Sequence, residues 1–143
     1  MADEIIIPKV GVIKMMELFL GKDLAENLTV HLFTNSDAID EDTVLGDFTE
    51  MSTLGYVAKT LTMATWDTPT IESTYAKSEY NAGTSVDWTF TTGTEVSVYG
   101  YYIRMATTEE LISACKFASA KPISTTGEKI QIVPEFRFPY DGS

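Results

Sequence analysis

Short runs of alternating apolar and polar residues dominate the chain from Gly55 onward. The most regular run, residues 85–91, places Val86, Trp88 and Phe90 on one face and polar residues on the other. This period of two is typical of a strand with one buried face. About seven or eight such runs, separated by turn residues, predict a mainly β protein, an antiparallel β-sandwich of jelly-roll-like type.

One predicted strand is apolar on both faces. It covers residues 96–104, which read VSVYGYYIR. Such a strand is either covered on both sides, or covered on one side and used as a contact surface on the other. We expect Tyr102 to face the sandwich core, and Tyr99 and Tyr101 to face a neighbouring protein.

Helical periodicity is found near the N-terminus. Apolar residues recur at helical spacing between Val10 and Leu20, and Gly21 is a suitable stop. The pattern predicts one short amphipathic helix, and we expect its Met-rich face to pack into the core, as such faces usually do. Long helices alternating with strands are absent from the pattern, which excludes doubly wound α/β folds.

Three isoleucines and a proline stand before this helix, at residues 5–8. β-branched residues stopped by a proline predict an extended arm, over residues 1–10, that joins either its own sheet or a neighbouring subunit. Residues 11–143 contain no linker or internal repeat and form the predicted β-sandwich domain. The candidate protein-interface residues are Ile5, Ile6, Ile7, Tyr99 and Tyr101.

The charge balance restricts the partners. Twenty-one acids against ten lysines and arginines give a formal net charge of −11. Nucleic acids and anionic membranes require basic surfaces, so neither is an expected partner. The acidic N-terminus has no basic region like that of a signal peptide, and no apolar run approaches the ~20 residues of a membrane span. We therefore expect synthesis in a cytoplasm without export through a signal peptide.

Residue types that carry chemistry are sparse. His31 is the single histidine and Cys115 the single cysteine, so neither a zinc cluster nor an internal disulfide is expected. No nucleophile motif or phosphate-binding glycine loop is present. The acidic loop Asp37–Asp47 lacks the EF-hand spacing and is interpreted as a solvated loop, with a weak calcium site as the alternative. We expect no catalytic residue, no metal site and no cofactor.

Two further kinds of site stay open on the residues alone. A carboxylate pair could hydrolyse glycans, with Asp87 or Glu50 as a member, although the sequence supplies no geometry for either. Exposed tyrosines could stack on sugars. The candidates for stacking are Tyr75, Tyr80, Tyr99 and Tyr101, and packing inside the protein is the favoured interpretation for them.

The order of short motifs between Gly55 and Phe138 is similar to that of small virion proteins of tailed bacteriophages. The similarity is strongest to capsid decoration, or cement, proteins. In chain order the motifs are Gly55-Tyr56 with its strand, Trp66, Trp88 with Phe90, Val98–Tyr101, Lys116-Phe117 and the apolar strand Ile130–Phe136.

This resemblance implies a jelly-roll-like structural protein without catalysis. Such a protein binds the major capsid protein on the exterior of an assembled virion, as a homotrimer, and needs no cofactor. A receptor- or glycan-binding module of a phage tail or fibre is the alternative. A carboxylate-based glycan hydrolase is a third hypothesis.

Overall fold

A computed structural model describes residues 3–139. The chain is mainly β, with 42% strand and 14% helix, and its sheets are antiparallel. The α-helix, α1, spans Lys9–Phe19. The strands are β1 Glu4–Ile6, β2 Leu28–Phe33, β3 Lys59–Leu61, β4 Thr70–Ile71, β5 Tyr75–Glu79, β6 Val86–Thr89, β7 Val96–Met105, β8 Leu111–Ile123, β9 Lys129–Ile132 and β10 Glu135–Pro139.

Two layers of strands enclose the main core. Five strands form the larger sheet, in the order β1-β8-β7-β2-β3, while β10-β5-β4 and β6-β9 form two smaller sheets. Val30 and Ile103 of the larger sheet belong to the same buried cluster as Trp88, Phe90 and Ile130 from the other layer. The predicted β-sandwich with one short helix is therefore confirmed, as is the inward direction of Trp88 and Phe90.

A second, smaller cluster lies on the opposite face of the larger sheet. There the Tyr102 ring stacks between His31 and Phe48, with centroid distances of 4.9 and 4.7 Å. Phe33 and Ile39 belong to the same cluster. Because the loop after β2 supplies Ile39 and Phe48, it covers this face, and strands β2 and β7 are buried on both sides.

The prediction that Tyr101 faces a neighbouring protein is wrong. The pairing of β7 with β8 shifts between Val98 and Gly100. This irregularity brings Val98 and Tyr101, three residues apart, into the same core cluster, where Tyr101 is 4% exposed. A bulge of this kind breaks the period of two, which the sequence pattern assumed throughout. Tyr102 is buried as expected, but in the smaller cluster, against which Tyr99 is half-buried.

The predicted arm joins its own sheet. β1 pairs with β8 in antiparallel register, with Ile5 opposite Cys115. Pro8 is the N-cap of α1, so the helix begins inside the segment that was predicted to be extended, 1–10. A proline suits this position because the first turn of a helix needs no donor from its backbone. Residues 1–2 of the predicted arm lie outside the described residues.

Candidate functional site

The orientation of α1 is the unusual feature of this fold. Its two buried residues are Gly11 and Lys14. Most of its apolar side chains lie on the solvent side, with Met16 58% exposed and Phe19 89% exposed. Helices on globular proteins normally bury their apolar face. The expected core packing of the Met-rich face is correct for Met15, which packs against the main core, and wrong for Met16.

A close backbone approach and a cluster of ion pairs explain this orientation. A Cβ on Gly11 would lie 2.0 Å from the carbonyl oxygen of Ile112, so only glycine allows the helix to lie this near β8. The Lys14 ammonium lies 2.5 Å from an oxygen of Asp23, 2.8 Å from Glu110 and 3.2 Å from Glu17. α1 is therefore attached through a glycine and a buried cation.

The pKa shifts of these groups follow from the same contacts. Hydrogen bonding to Asp23, and then to Glu110, raises the pKa of Lys14 above its ordinary value. The Lys14 ammonium in turn lowers the pKa of the Asp23 carboxyl, helped by the Leu24 backbone N–H. Both groups are therefore charged throughout the neutral range.

An apolar groove of about 750 Å³ lies between β1, α1 and β10. Nine of its eleven lining residues are apolar, and the two charged ones are Glu41 and Arg137. We call this surface the groove. Its apolar residues are Ile5, Ile6 and Ile7, then Val12, Met15, Met16, Phe19 and Leu20, and finally Phe138.

The structure brings together three of the five predicted interface residues. Ile5, Ile6 and Ile7 all line the groove. Tyr101 lies in the main core and Tyr99 beside the smaller cluster, so neither belongs to this site.

Several groove residues were not predicted from the sequence, among them Met16, Phe19 and Phe138. The helical spacing did place Met16 and Phe19 on one stripe. It carried no information on whether that stripe faces the protein or the solvent.

Both walls of the groove include an edge strand. β1 is at the margin of the larger sheet and β10 at the margin of a smaller one, and the two strands are in contact. Edge strands present unpaired backbone groups, and proteins use such edges to bind other chains. The groove thus combines apolar side chains with strand edges.

A polar network surrounds the single histidine on the other side of the larger sheet. His31 Nδ1 lies 2.8 Å from a carboxylate oxygen of Glu50, and Nε2 lies 2.8 Å from the Thr29 hydroxyl. The Arg104 Nε–H donates to the same Nε2 at 3.0 Å. Nε2 is therefore the acceptor, and Nδ1 carries the proton that His31 donates to Glu50. Burial is the main cause that lowers the pKa of His31.

The geometry of the His31 network favours a structural role. A hydroxyl, an imidazole and a carboxylate in line are the parts of a nucleophile–base relay. Here, however, the lone pair of Nε2 already accepts the Arg104 N–H. His31, Thr29 and Glu50 also line neither the groove nor the smaller cavity beside Cys115. The network instead connects β2 to β7 and to Glu50.

A smaller cavity of about 310 Å³ contains Cys115 and Tyr101. Burial raises the pKa of the Cys115 thiol to about 12. A thiol that stays protonated is a poor nucleophile and a poor metal ligand. Cys115 thus packs as a small buried side chain, in keeping with the sequence interpretation.

The acids of the loop Asp37–Asp47 stabilise turns. The Asp42 N–H donates to an Asp40 carboxylate oxygen at 2.9 Å, and the Val44 N–H donates to Asp47 at 2.9 Å. Among residues 3–139, no group of three histidine, cysteine, aspartate or glutamate side chains could hold a metal ion.

The candidate residues for glycan hydrolysis and for sugar stacking have partners within the chain. Asp87 accepts hydrogen bonds from Ser85 at 2.6 Å and Gln131 at 3.2 Å. The Tyr75 ring lies 4.9 Å from the Arg137 guanidinium, and the Tyr80 ring packs edge-on against Trp66. These contacts with other residues of the chain weaken the carbohydrate hypotheses.

Comparison of the chain with protein-family models, with curated proteins and with solved structures found no match in any of the three. Across the part of the chain that the structure describes, no helix is both long and apolar enough to cross a membrane. The functional argument therefore begins from the groove itself.

Proposed function

We propose that this chain is a virion structural protein that binds an assembled phage capsid and stabilises it, with the groove as its docking surface. The observation that carries the proposal is the exposed apolar side of α1. Contiguous apolar surface on a soluble protein is typical of an interaction site. The order of motifs from Gly55 to Phe138, which resembles capsid decoration proteins, supports the virion as the place of action.

The groove has side chains suited to protein contact. Phe19 is 89% exposed and Phe138 50% exposed. Burying one such side chain against a partner contributes about 1.5–3 kcal/mol. Met15 and Met16 supply flexible, polarizable surface that adapts to the shape of a partner.

The attachment of α1 supports the same proposal. Gly11 and Lys14 hold the helix beside β8. Met15 packs against the main core, whereas Met16 and Phe19 stay exposed. The docking surface therefore exists before a partner binds, and binding requires little ordering of the chain. Such preorganisation increases affinity because less conformational entropy is lost.

The experiment is co-sedimentation with purified empty capsids of the phage that encodes the chain. We define the groove variant as Met16→Ser with Phe19→Ser. The surface control is Val57→Ser with Ile71→Ser, because these residues are 69% and 76% exposed and lie outside the groove. Wild type and surface control are expected to sediment with capsids, and the groove variant to remain in solution while keeping its circular dichroism spectrum.

Two results would contradict the proposal. One is wild-type protein that does not bind capsids but binds a glycan array, which would favour the tail or fibre module. The other is a groove variant that sediments with capsids as well as wild type does, which would move the docking surface elsewhere.

A further inference from the structure

We infer that the groove binds an apolar segment of another protein flanked by lysine or arginine, in preference to a second copy of this chain. The inference rests on the proposed docking role of the groove and adds the chemistry of the partner.

The charges bordering the groove are mostly acidic. The charged lining residues are Glu41 and Arg137. Their ion pairs bring Lys9, Asp42 and Glu135 to the same border, and Glu4 is exposed in β1 beside the lining residue Ile5. Acids therefore outnumber bases by four to two at the groove. The rim is therefore negative at neutral pH.

Both bases already have acidic partners within the chain. The Lys9 ammonium lies 2.7 Å from Asp42 and 3.3 Å from Glu41. The Arg137 guanidinium lies 2.6 Å from a carboxylate oxygen of Glu135. Neither cation is thus available to neutralise acids brought in by a partner, because each would first have to leave its own carboxylate.

A second copy would bring the same acids to the contact. In a two-fold dimer, identical patches face each other. The acids at Glu4, Glu41 and Asp42 would then lie near those of the other copy, and the net charge of −11 on each chain adds long-range repulsion. A segment with basic flanks reverses the sign of these interactions and meets the same apolar lining.

Two synthetic helical peptides test this inference. Both carry the same leucine-rich apolar face, flanked in one by lysines and in the other by glutamates. By fluorescence anisotropy at low salt, the lysine-flanked peptide is expected to bind at least about tenfold more tightly. The preference is expected to shrink in high salt, because salt screens exposed charges.

Two variants separate the apolar from the electrostatic contribution. The groove variant keeps every charge of the protein and is expected to lose binding of the lysine-flanked peptide, while the surface control retains it. A Glu41→Gln, Asp42→Asn variant keeps the apolar lining and is expected to lose most of the preference for lysine flanks.

Three outcomes would overturn the inference. Equal affinity for both peptides would contradict the charge argument. Undiminished binding of the lysine-flanked peptide to the groove variant would show charge attraction outside the groove. A dimer detected by light scattering, and abolished in the groove variant, would identify a second copy as the occupant.

The proposed function can fail separately. Peptide selectivity without capsid binding would contradict the capsid proposal and leave the partner chemistry standing. Capsid binding without peptide selectivity would contradict the inferred partner chemistry and leave the capsid proposal standing.

Discussion

Gly11 lies directly on the main chain of Ile112, so closely that a Cβ on Gly11 would be 2.0 Å from the Ile112 carbonyl oxygen. The contact joins the first turn of α1 to β8, about a hundred residues later in the chain. It allows α1 to approach the sheet with its least bulky side, and the apolar side is left to form the groove.

Substitution of Gly11 by alanine is expected to lower the free energy of unfolding by about 1–3 kcal/mol, the usual range for overpacking. The added methyl group meets backbone rather than a flexible side chain, so the helix must move. Gly46→Ala is the matched control, since a Cβ there meets nothing within 4 Å. Urea unfolding measures both. Equal stability of the two variants would contradict the close approach.

Replacement of Lys14 by methionine is expected to destabilise the protein. Lys14 is 3% exposed and pairs with Asp23, Glu110 and Glu17, so its loss leaves three carboxylates close together without a cation. Thermal unfolding should show a lower Tm than for Lys22→Met, which removes an exposed lysine. A Tm equal to that of the control would argue against the ion cluster as the attachment of α1.

The His31 network predicts a loss of stability toward acid. The folded pKa of His31 lies below its ordinary value of 6.5, chiefly because of burial, while Glu50 opposes and Arg104 reinforces the shift. The unfolded chain therefore takes up the proton first. Stability is complete above about pH 6.5 and falls as the pH decreases, with a slope of at most about 1.4 kcal/mol per pH unit for one proton.

The His31→Gln variant tests this slope, because His31 is the single histidine of the chain. Urea unfolding between pH 5 and 7, a range of about two units around the histidine value, should give a flatter dependence for the variant. An unchanged slope would assign the pH dependence to other groups.

Variants of Tyr101 test whether this side chain lies in the core, as in the structure, or at an interface, as the sequence predicted. Tyr101→Ala is expected to cost about 3–5 kcal/mol of stability, as for other large aromatic side chains removed from a core. Tyr101→Phe keeps the ring against Phe117 and should cost much less. Urea unfolding measures both variants. Unchanged stability of the alanine variant would contradict the buried position of Tyr101.

Much of the fold could be predicted because its signals are local. Trp88 and Phe90 alternate with polar residues, so their inward direction follows from the geometry of a strand. Tyr101 could not be placed, because the bulge between Val98 and Gly100 depends on how β7 pairs with β8. A local pattern does not record an irregularity that arises from pairing with a distant strand.

The groove was predicted in part. The isoleucines of the arm were identified because three β-branched residues before a proline are conspicuous in the sequence. Phe138 was not, because β10 reaches the groove through its pairing with β5, where Phe138 lies opposite Ala76. The alternation and the helical spacing gave no distance between segments so far apart in the chain.

By itself the sequence determined the β-sandwich class, the single N-terminal helix, the acidic charge and the scarcity of reactive side chains. Each of these follows from composition or from a period along one segment. The tertiary structure alone decided which side of α1 meets the solvent. Periodicity defines the two faces of a helix, but the choice between them depends on the contact of Gly11 with Ile112 and of Lys14 with Glu110, which exists only after the chain has folded.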